Sequence, residues 1–213
     1  MFFEVLVEGS SDIPAIKEIF IRRFNLRENI DFKIIHHQGK GKLPPTAYSL
    51  PNPRDRTLLH QLPAKLRGYS HLSEEYCIIV LVDADHDNCI ELKGKLIDLH
   101  NELLNQPSCV LFRIAVEEME SWFIADIDAV RSAYPHAKIQ KIEHIPPDSI
   151  VGAWELLAET LGKKRGECKR SDKIEWAKKI SPHLDLESPR STSLHFFIEG
   201  IQRKLEQHPT SAN

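Results

Sequence analysis

The sequence has 213 residues, of which 41% are hydrophobic and 28% are charged, and its formal net charge at pH 7 is −3. This composition is typical of a folded globular protein and argues against extensive disorder. The small negative charge gives no general attraction to nucleic acid, so any contact with phosphates would require local basic patches.

The sequence also lacks the signals of a membrane or secreted protein. Its apolar runs are far shorter than the roughly 18 residues of a membrane-spanning helix, and no basic and apolar leader precedes a cleavage site. The four cysteines have no C-x-x-C spacing and are expected to be free thiols. We therefore predict a cytoplasmic protein with no membrane partner.

A strand and a helix are predicted at the start of the chain. Phe3 to Val7 forms a strand-like run that ends at Glu8. Ser10 or Ser11 can cap the following helix, and Pro14 suits its first turn because proline has no N–H to satisfy. The predicted apolar face of this helix consists of Ile13, Ile16, Phe20 and Phe24.

A second strand is predicted at Phe32 to His36, followed by a long loop from His37 to Arg56. The loop is too rich in Gly and Pro for regular structure, and loops of this length are usually functional or mobile. It does not match the phosphate-binding P-loop pattern. A solvated surface loop remains the alternative. The basic side chains of this region are His36, His37, Lys40, Lys42, Arg54 and Arg56.

A central strand is predicted from Cys77 to Val82, because this apolar run is rich in Ile and Val, as in a parallel strand buried on both faces. Three carboxylates follow it at alternate positions, Asp83, Asp85 and Asp87. Because side chains alternate along an extended chain, Asp83 and Asp85 are expected to point the same way and share one cation.

The second half of the chain continues the alternation and then becomes helical. Leu92 to Leu103 has a helical apolar face, and Val110 to Ala115 is a fourth buried strand followed by Glu117, Glu118 and Glu120. Further helices are predicted at 122–134, 149–161, 173–180 and 193–205. This order predicts an α/β fold with a mostly parallel four-stranded sheet flanked by helices. We expect an α/β core at 1–126 and a helical C-terminal part at 127–213 packed on it.

Acidic residues therefore follow three of the predicted strands, and the carboxyl ends of parallel strands meet at one edge of a sheet. Each group has an ordinary structural explanation by itself, since acids are common where helices begin. Together they would repel one another unless protons or a cation intervene, so we expect Mg²⁺ first and Mn²⁺ second. An EF-hand calcium loop is excluded because Asn88 and Gly94 stand where that loop requires Gly and Glu.

Two of these segments resemble a known family. Val7-Glu8-Gly9-Ser10-Ser11-Asp12 and Ile79-Val80-Leu81-Val82-Asp83-Ala84-Asp85 are similar to the Toprim domain of primases, topoisomerases and the overcoming-lysogenization-defect nucleases. The resemblance covers about the first 125 residues. It implies a Toprim-like, Rossmann-like fold in which Glu8, Asp83 and Asp85 bind magnesium for strand cleavage or phosphoryl transfer.

The segments 118–126 and 188–197 further resemble a small bacterial Toprim-related family, domain-of-unknown-function family 4276, whose members are associated with phage defence or mobile elements. The chain has no room for the gate domain of a topoisomerase or the appendages of a primase. The resemblance thus implies a compact metal-dependent phosphodiester hydrolase, most plausibly a nuclease, with DNA or RNA as substrate.

The resemblance implies roles for Glu8, Asp83 and Asp85, and the positions and charges of the other acidic and basic residues add the rest of the expected site. Glu8, Asp83, Asp85 and Glu120 are the expected catalytic residues, with Glu8 or Glu120 as the general base. The expected metal ligands are Glu8, Asp12, Asp83, Asp85, Asp87, Glu118 and Glu120. The expected nucleic-acid-binding residues are Lys40, Lys42, Lys163, Lys164, Arg165, Lys169, Arg170 and Lys173, although the segment from Lys163 onward has the alternative of a solvated basic turn.

Other functions remain open at this stage. The chain could be a non-catalytic binding or regulatory subunit of a partner ATPase, since it has no Walker motif of its own. A dehalogenase-type phosphatase is a weaker alternative, because the D-x-D motif of that class is expected on the first strand. The sequence also leaves open whether the chain forms a homo-oligomer.

Overall fold

A computed structural model describes residues 1–164 and 167–208 of the chain. A single four-stranded parallel sheet of order β2-β1-β3-β4 lies at the centre of this part of the molecule. The strands are β1 (Phe2–Val7), β2 (Phe32–His36), β3 (Tyr76–Asp83) and β4 (Val110–Ala115). All four strands occur where the sequence predicts them.

Eight α-helices are found in the described residues: α1 (Ile13–Glu18), α2 (Leu58–Tyr69), α3 (Cys89–Asn101), α4 (Glu120–Ala125), α5 (Ile127–Ala133), α6 (Ala153–Thr160), α7 (Arg170–Ile180) and α8 (Thr192–Gln207). A π-helical turn at Ile19–Arg23 extends α1, and 3₁₀ turns occur at Ile139–Lys141 and Ser181–His183. The segment 37–56 contains neither helix nor strand, as predicted. None of the helices in the described ranges is both long and apolar enough to cross a membrane.

Alternate residues of the strands face two separate hydrophobic clusters, because side chains of an extended chain point to opposite faces of a sheet. Phe3 and Ile79 face the cluster formed with α1 and the C-terminal helices. Leu6 and Val80 face the cluster formed with α2 and α3. The C-terminal helices thus pack on the sheet through a shared core, while the division at residue 126 stays a prediction.

Three helix predictions need correction. The single helix predicted over 122–134 is divided at Asp126, which leaves helical geometry at φ −105° and ψ 82° and caps α5 with its own side chain. The first helix begins at Ile13 without a hydrogen-bonded side-chain cap, so neither Ser10 nor Ser11 has the predicted role. Finally, the helix predicted over 149–161 begins only at Ala153, after Gly152 in the left-handed conformation at φ 80°.

The strand order determines which carboxyl ends of the strands lie next to each other. The chain goes from β1 to β2 on one side and then crosses back to β3 on the other side of β1. The gap between β1 and β3 is therefore the point where the winding direction reverses, which is where open α/β sheets bind ligands. Leu6 pairs with Val80, and Asp83 pairs with Ala115 on β4. Glu8 and Asp83 consequently lie at the same edge of the sheet.

Candidate metal centre

The carboxyl ends of β1 and β3 are joined through Glu8. The Oε1 atom of Glu8 accepts a hydrogen bond of 2.9 Å from the backbone N–H of Asp83. Asp12 folds back towards the same turn, because its Oδ2 atom accepts from the Gly9 N–H at 2.8 Å and its Oδ1 atom accepts from the Ser11 hydroxyl at 3.0 Å. The turn after β1 thus holds two carboxyl groups at the end of β3.

The chain turns sharply after Asp83, where β3 ends. Asp85 has a φ of 49°, a left-handed conformation that non-glycine residues rarely adopt, so the alternation expected of Asp83 and Asp85 does not continue. The Asp85 carboxylate instead pairs with Lys40 at 3.0 Å, and Asp87 pairs with the same ammonium at 2.7 Å. Lys40 also donates to the carbonyl oxygen of Ala84 at 2.8 Å. This lysine fastens the long loop to the end of β3.

A second left-handed residue follows β4. Glu117 has a φ of 64°, and its carbonyl oxygen accepts a hydrogen bond of 2.7 Å from the Asp85 N–H. Its carboxylate accepts from the backbone N–H groups of Gly152 and Ala153 at 2.9 and 3.1 Å, at the N-terminus of α6. Residues in strained conformations cluster at functional sites. Here the two left-handed residues direct the turns after β3 and β4 towards each other.

Glu118 and Glu120 bring a third strand end into the cluster. One oxygen of Glu118 accepts from the Trp154 N–H at 3.0 Å, and its other oxygen lies 3.6 Å from the ammonium of Lys173. Glu120 is 9% exposed in its side chain and lies 3.3 Å from the same ammonium. Lys173 also lies over the ring of Trp154, 5.1 Å from its centroid. Lys173 on α7 is thus the counter-ion of this half of the site.

The pKa values of these carboxyls reflect burial first and mutual repulsion second. Burial raises the pKa of Glu8 to about 8, with further contributions from the negative charges of Asp12 and Asp85. The pKa of Asp83 is raised well above its ordinary value by burial and by the charges of Glu8, Asp12, Glu120 and Glu118. Asp83 is thus the group whose ionisation the charges of the other carboxyls oppose together.

The pKa values of Asp12 and Glu118 are raised as well. Burial raises the pKa of Asp12 to about 6, partly offset by the Gly9 hydrogen bond, and the charge of Glu120 raises it further. Burial and the charge of Glu120 raise the pKa of Glu118 to about 7. We define the acidic cluster as Glu8, Asp12, Asp83, Glu118 and Glu120. Near neutral pH this cluster would hold protons or a cation.

The chemistry of this donor set fits a hard divalent cation, which prefers carboxylate oxygens and reduces the repulsion among them. In residues 1–164 and 167–208, however, no three His, Cys, Asp or Glu side chains are arranged to hold one metal ion as they stand. Hydrogen bonds and the ammonium groups of Lys40 and Lys173 direct several of these carboxylates elsewhere. A metal would therefore require side-chain rotations.

Comparison with known proteins identifies the family. The chain matches the family model described as a domain of unknown function (DUF4276) over residues 7–201. The chain belongs to the DUF4276 family. No curated protein matches it in sequence.

Solved structures share the DUF4276 fold at low sequence identity. The C-terminal region of the OLD protein from Xanthomonas campestris pv. campestris, phased with iodine, aligns with a TM-score of 0.50 at 14% identity, covering 98% of each chain. The same region phased with mercury gives a TM-score of 0.47 at 15% identity, covering 97% of this chain and 98% of that one. The first of these, with the family match, confirms the expected Toprim-like α/β fold.

The basic residues expected to bind nucleic acid have different environments in the DUF4276 structure. Lys40 and Lys173 lie within the acidic site as counter-ions. An ideal Cβ atom on Gly9 would lie 3.6 Å from Nη2 of Arg170, which places this guanidinium beside the turn after β1. The ammonium of Lys163 forms an ion pair with Asp172. The others are exposed at Lys42, Lys164 and Lys169, and Arg165 lies outside the described residues.

Sequence analysis missed two features of the DUF4276 site. The lysines that neutralise the carboxylates come from a loop and a helix that are remote in sequence. The sequence indicated their positive charge but not their contacts with the carboxylates. Glu117 was placed in the acidic run without a role, although it caps α6 beside the cluster. A run of three acids within four residues gives no signal as to which carboxylate caps a helix and which faces the site.

Proposed function

We propose that the chain is a divalent-metal-dependent phosphodiester hydrolase that cleaves nucleic acid, with Mg²⁺ or Mn²⁺ as its cofactor. The observation that supports this best is the acidic cluster, in which carboxyls from the ends of β1, β3 and β4 affect one another's ionisation at the winding reversal of the sheet. Burial of several ionised carboxylates destabilises a fold unless a cation compensates their charge. Membership of the DUF4276 family and the Toprim-like fold agree with this function without specifying the substrate.

The residues of the cluster would have distinct roles in hydrolysis. Glu8, Asp83 and Asp85 would hold the first ion, and Asp12, Asp87, Glu118 or Glu120 would complete the site or hold a second one. The bound ion would polarise the phosphate and activate water. Glu8 is placed to act as the general base because the Asp83 N–H already fixes its Oε1 atom and a bound cation would favour the ionised carboxylate. Its Oε2 atom would then take the proton, with Glu120 as the alternative base.

The two lysines of the site would act in the same step. Lys40 and Lys173 are only 14% and 25% exposed in their side chains and pair with different carboxylates. With these carboxylates engaged as ligands of an ion, the two ammonium groups would be free to approach the phosphate. Fixed positive charges in a partly desolvated site stabilise developing negative charge in a transition state.

One observation favours a second candidate, a non-catalytic binding or regulatory subunit of a partner ATPase. The ammonium groups of Lys40 and Lys173 already neutralise carboxylates that a catalytic metal would need. A chain that uses these lysines as permanent counter-ions would keep the fold without the chemistry. The phosphatase alternative gains no such support, since Asp83 lies on β3 and not on the first strand.

Cleavage of labelled nucleic acid tests the proposal. Wild-type protein is incubated with end-labelled DNA and RNA in Mn²⁺, in Mg²⁺ and in EDTA, beside the variant Asp83→Asn. We expect metal-dependent cleavage that falls by about a hundredfold or more in the variant, as when a group that stabilises the transition state is lost. The exposed Asp98→Asn on α3 removes the same charge outside the site and should cleave like wild type.

The result also separates the two candidate functions. Metal-dependent cleavage that Asp83→Asn leaves unchanged would come from another site or a contaminant and would overturn the assignment. Metal binding that depends on Asp83, without cleavage of either DNA or RNA, would favour the regulatory subunit.

A further inference from the structure

A basic cavity lies beside the acidic cluster and has no part in the function proposed so far. It has a volume of about 440 Å³ and opens between the carboxyl end of β2, the following loop and α2. Its polar lining comes from His36, His37, Gln38, Arg56, Gln61 and Lys65. None of the described residues that line it is acidic. The cavity is therefore suited to an anion.

His37 is the buried polar group of this cavity. It is 6% exposed, and its Nδ1 atom lies 2.8 Å from the carbonyl oxygen of Val7. Since a carbonyl can only accept, Nδ1 must carry the proton of this hydrogen bond. The Nε2 atom is buried and has no hydrogen-bond partner among the described residues. Buried polar atoms are nearly always paired, so this orphaned nitrogen beside the cavity leaves one hydrogen bond for a ligand or a water to supply.

Two cations of the cavity also lack partners. Neither Arg56 nor Lys65 forms an ion pair with any residue in the described ranges, although both line the cavity. Burial lowers the pKa of Lys65, and the nearby charge of Lys33 lowers it further. The charge of Glu4 acts in the opposite direction. A bound anion would compensate the ammonium and the guanidinium together, which a planar guanidinium does particularly well for phosphate.

The cavity is connected directly to the acidic cluster. The N–H of His37 donates to the Val7 carbonyl oxygen at 3.1 Å, and the N–H of Gly39 donates to the Glu8 carbonyl oxygen at 2.9 Å. The same loop then delivers Lys40 to Asp85 and Asp87. One short segment thus joins the cavity to the candidate metal centre. Two sites that bind successive phosphates of one nucleic acid strand must be adjacent in this way.

We propose that this cavity binds a backbone phosphate of the nucleic acid strand, held by Arg56, Lys65 and Nε2 of His37, while a neighbouring phosphodiester lies at the acidic cluster. This inference rests on the proposed function, because it assumes that the ligand is the substrate strand. With an anion bound, Nε2 of His37 would have to become accessible from the cavity and take up a proton against the effect of burial, which lowers the pKa of this imidazole. Nδ1 would continue to donate to Val7. The cavity would fix the register of the strand and carry no base specificity.

Binding of a fluorescent single-stranded oligonucleotide in EDTA tests the cavity without cleavage. The variant Arg56→Gln/Lys65→Gln removes its two cations, and Gln38→Glu places a carboxylate at its exposed rim without touching a buried group. The control Lys138→Gln/Lys178→Gln removes two exposed charges from the C-terminal helical part. Unfolding curves establish that all variants fold. Inorganic phosphate is titrated in parallel.

We expect both cavity variants to bind the oligonucleotide about tenfold more weakly or worse, and the double variant to have a salt dependence shallower by about one unit in log–log slope. The control should match wild type. Equal affinity and equal salt slope in the cavity variants, or no binding by wild type, would overturn the proposal. Binding of inorganic phosphate alone would also overturn it, in favour of a free anion. Failure of the nuclease proposal is recognised separately, since it removes cleavage in Mn²⁺ and leaves this binding in EDTA intact.

Discussion

In the metal-free protein, Glu8 shows how strongly the acidic cluster disfavours the ionised form of a single carboxyl. Its carboxyl is held at the end of β1 by the Asp83 N–H, and burial raises its pKa from 4.5 to about 8. A carboxyl in this environment keeps its proton near neutral pH unless a positive charge replaces it. Its ionisation therefore links the stability of the fold to the pH and to the presence of a metal.

We predict that the metal-free protein loses stability through Glu8 as the pH rises towards 8. Because the folded-state pKa lies above the unfolded value of 4.5, the folded state binds more protons in this range. The stabilisation is thus complete at low pH and is lost as the pH rises through about 8, by up to about 1.4 kcal/mol per pH unit. Urea unfolding in EDTA at several pH values measures it.

The difference between variants isolates this contribution. Glu8→Gln cannot ionise, so its free energy of unfolding should fall less steeply with pH than that of wild type. The exposed Glu91→Gln on α3 should keep the wild-type slope. Identical slopes for Glu8→Gln and wild type would mean that Glu8 is already ionised in the folded state.

At the scale of elements, the strands were predictable and the helix ends less so. The inner strands β1 and β3 are short apolar runs bounded by polar residues, and their pattern survives in the structure because both faces are buried, whereas the edge strand β2 has exposed residues. The break at Asp126 could not be seen in the sequence, since helical spacing continues across it. It arises from tertiary contacts: one Asp126 oxygen accepts from Ala129 N–H at 2.9 Å, and the other accepts from Asp185 N–H at 2.7 Å.

We predict that Asp126→Ala destabilises the protein by about 1–2 kcal/mol, because it removes the cap of α5 and the bond to Asp185 together. Asp126→Asn keeps one acceptor oxygen and should lose less. The exposed neighbour Asp128→Ala, which loses a surface ion pair with Arg131, should change stability by less than about 1 kcal/mol. Chemical denaturation of the three variants measures their free energies of unfolding. Equal losses of stability in Asp126→Ala and Asp128→Ala would contradict the capping role.

The fold of the whole molecule brings together side chains whose contacts no local sequence pattern predicts. The sequence predicted that acids follow three parallel strands, but the order β2-β1-β3-β4 depends on how the helices pack on the two faces. That order makes β1 a neighbour of β3, and β3 a neighbour of β4. It also brings Lys173 from α7 to Glu118 and Glu120, a contact between segments far apart in the chain.

Asp85 shows the limit of strand-based reasoning within this site. Its left-handed conformation ends the alternation that would have aligned it with Asp83, and the turn instead gives it to Lys40. The D-x-D motif thus marks the end of β3 but does not predict the direction of its second carboxylate.

The central claim is that the acidic cluster binds divalent cations, and calorimetric titration of Mn²⁺ and Mg²⁺ into the protein tests it most directly. We predict saturable binding by wild type and by the exposed control Asp98→Asn, and loss of that binding in Asp83→Asn, whose carboxyl is affected by all the other members of the cluster. Binding unaffected by Asp83→Asn, or the absence of binding by wild-type protein, would contradict the claim.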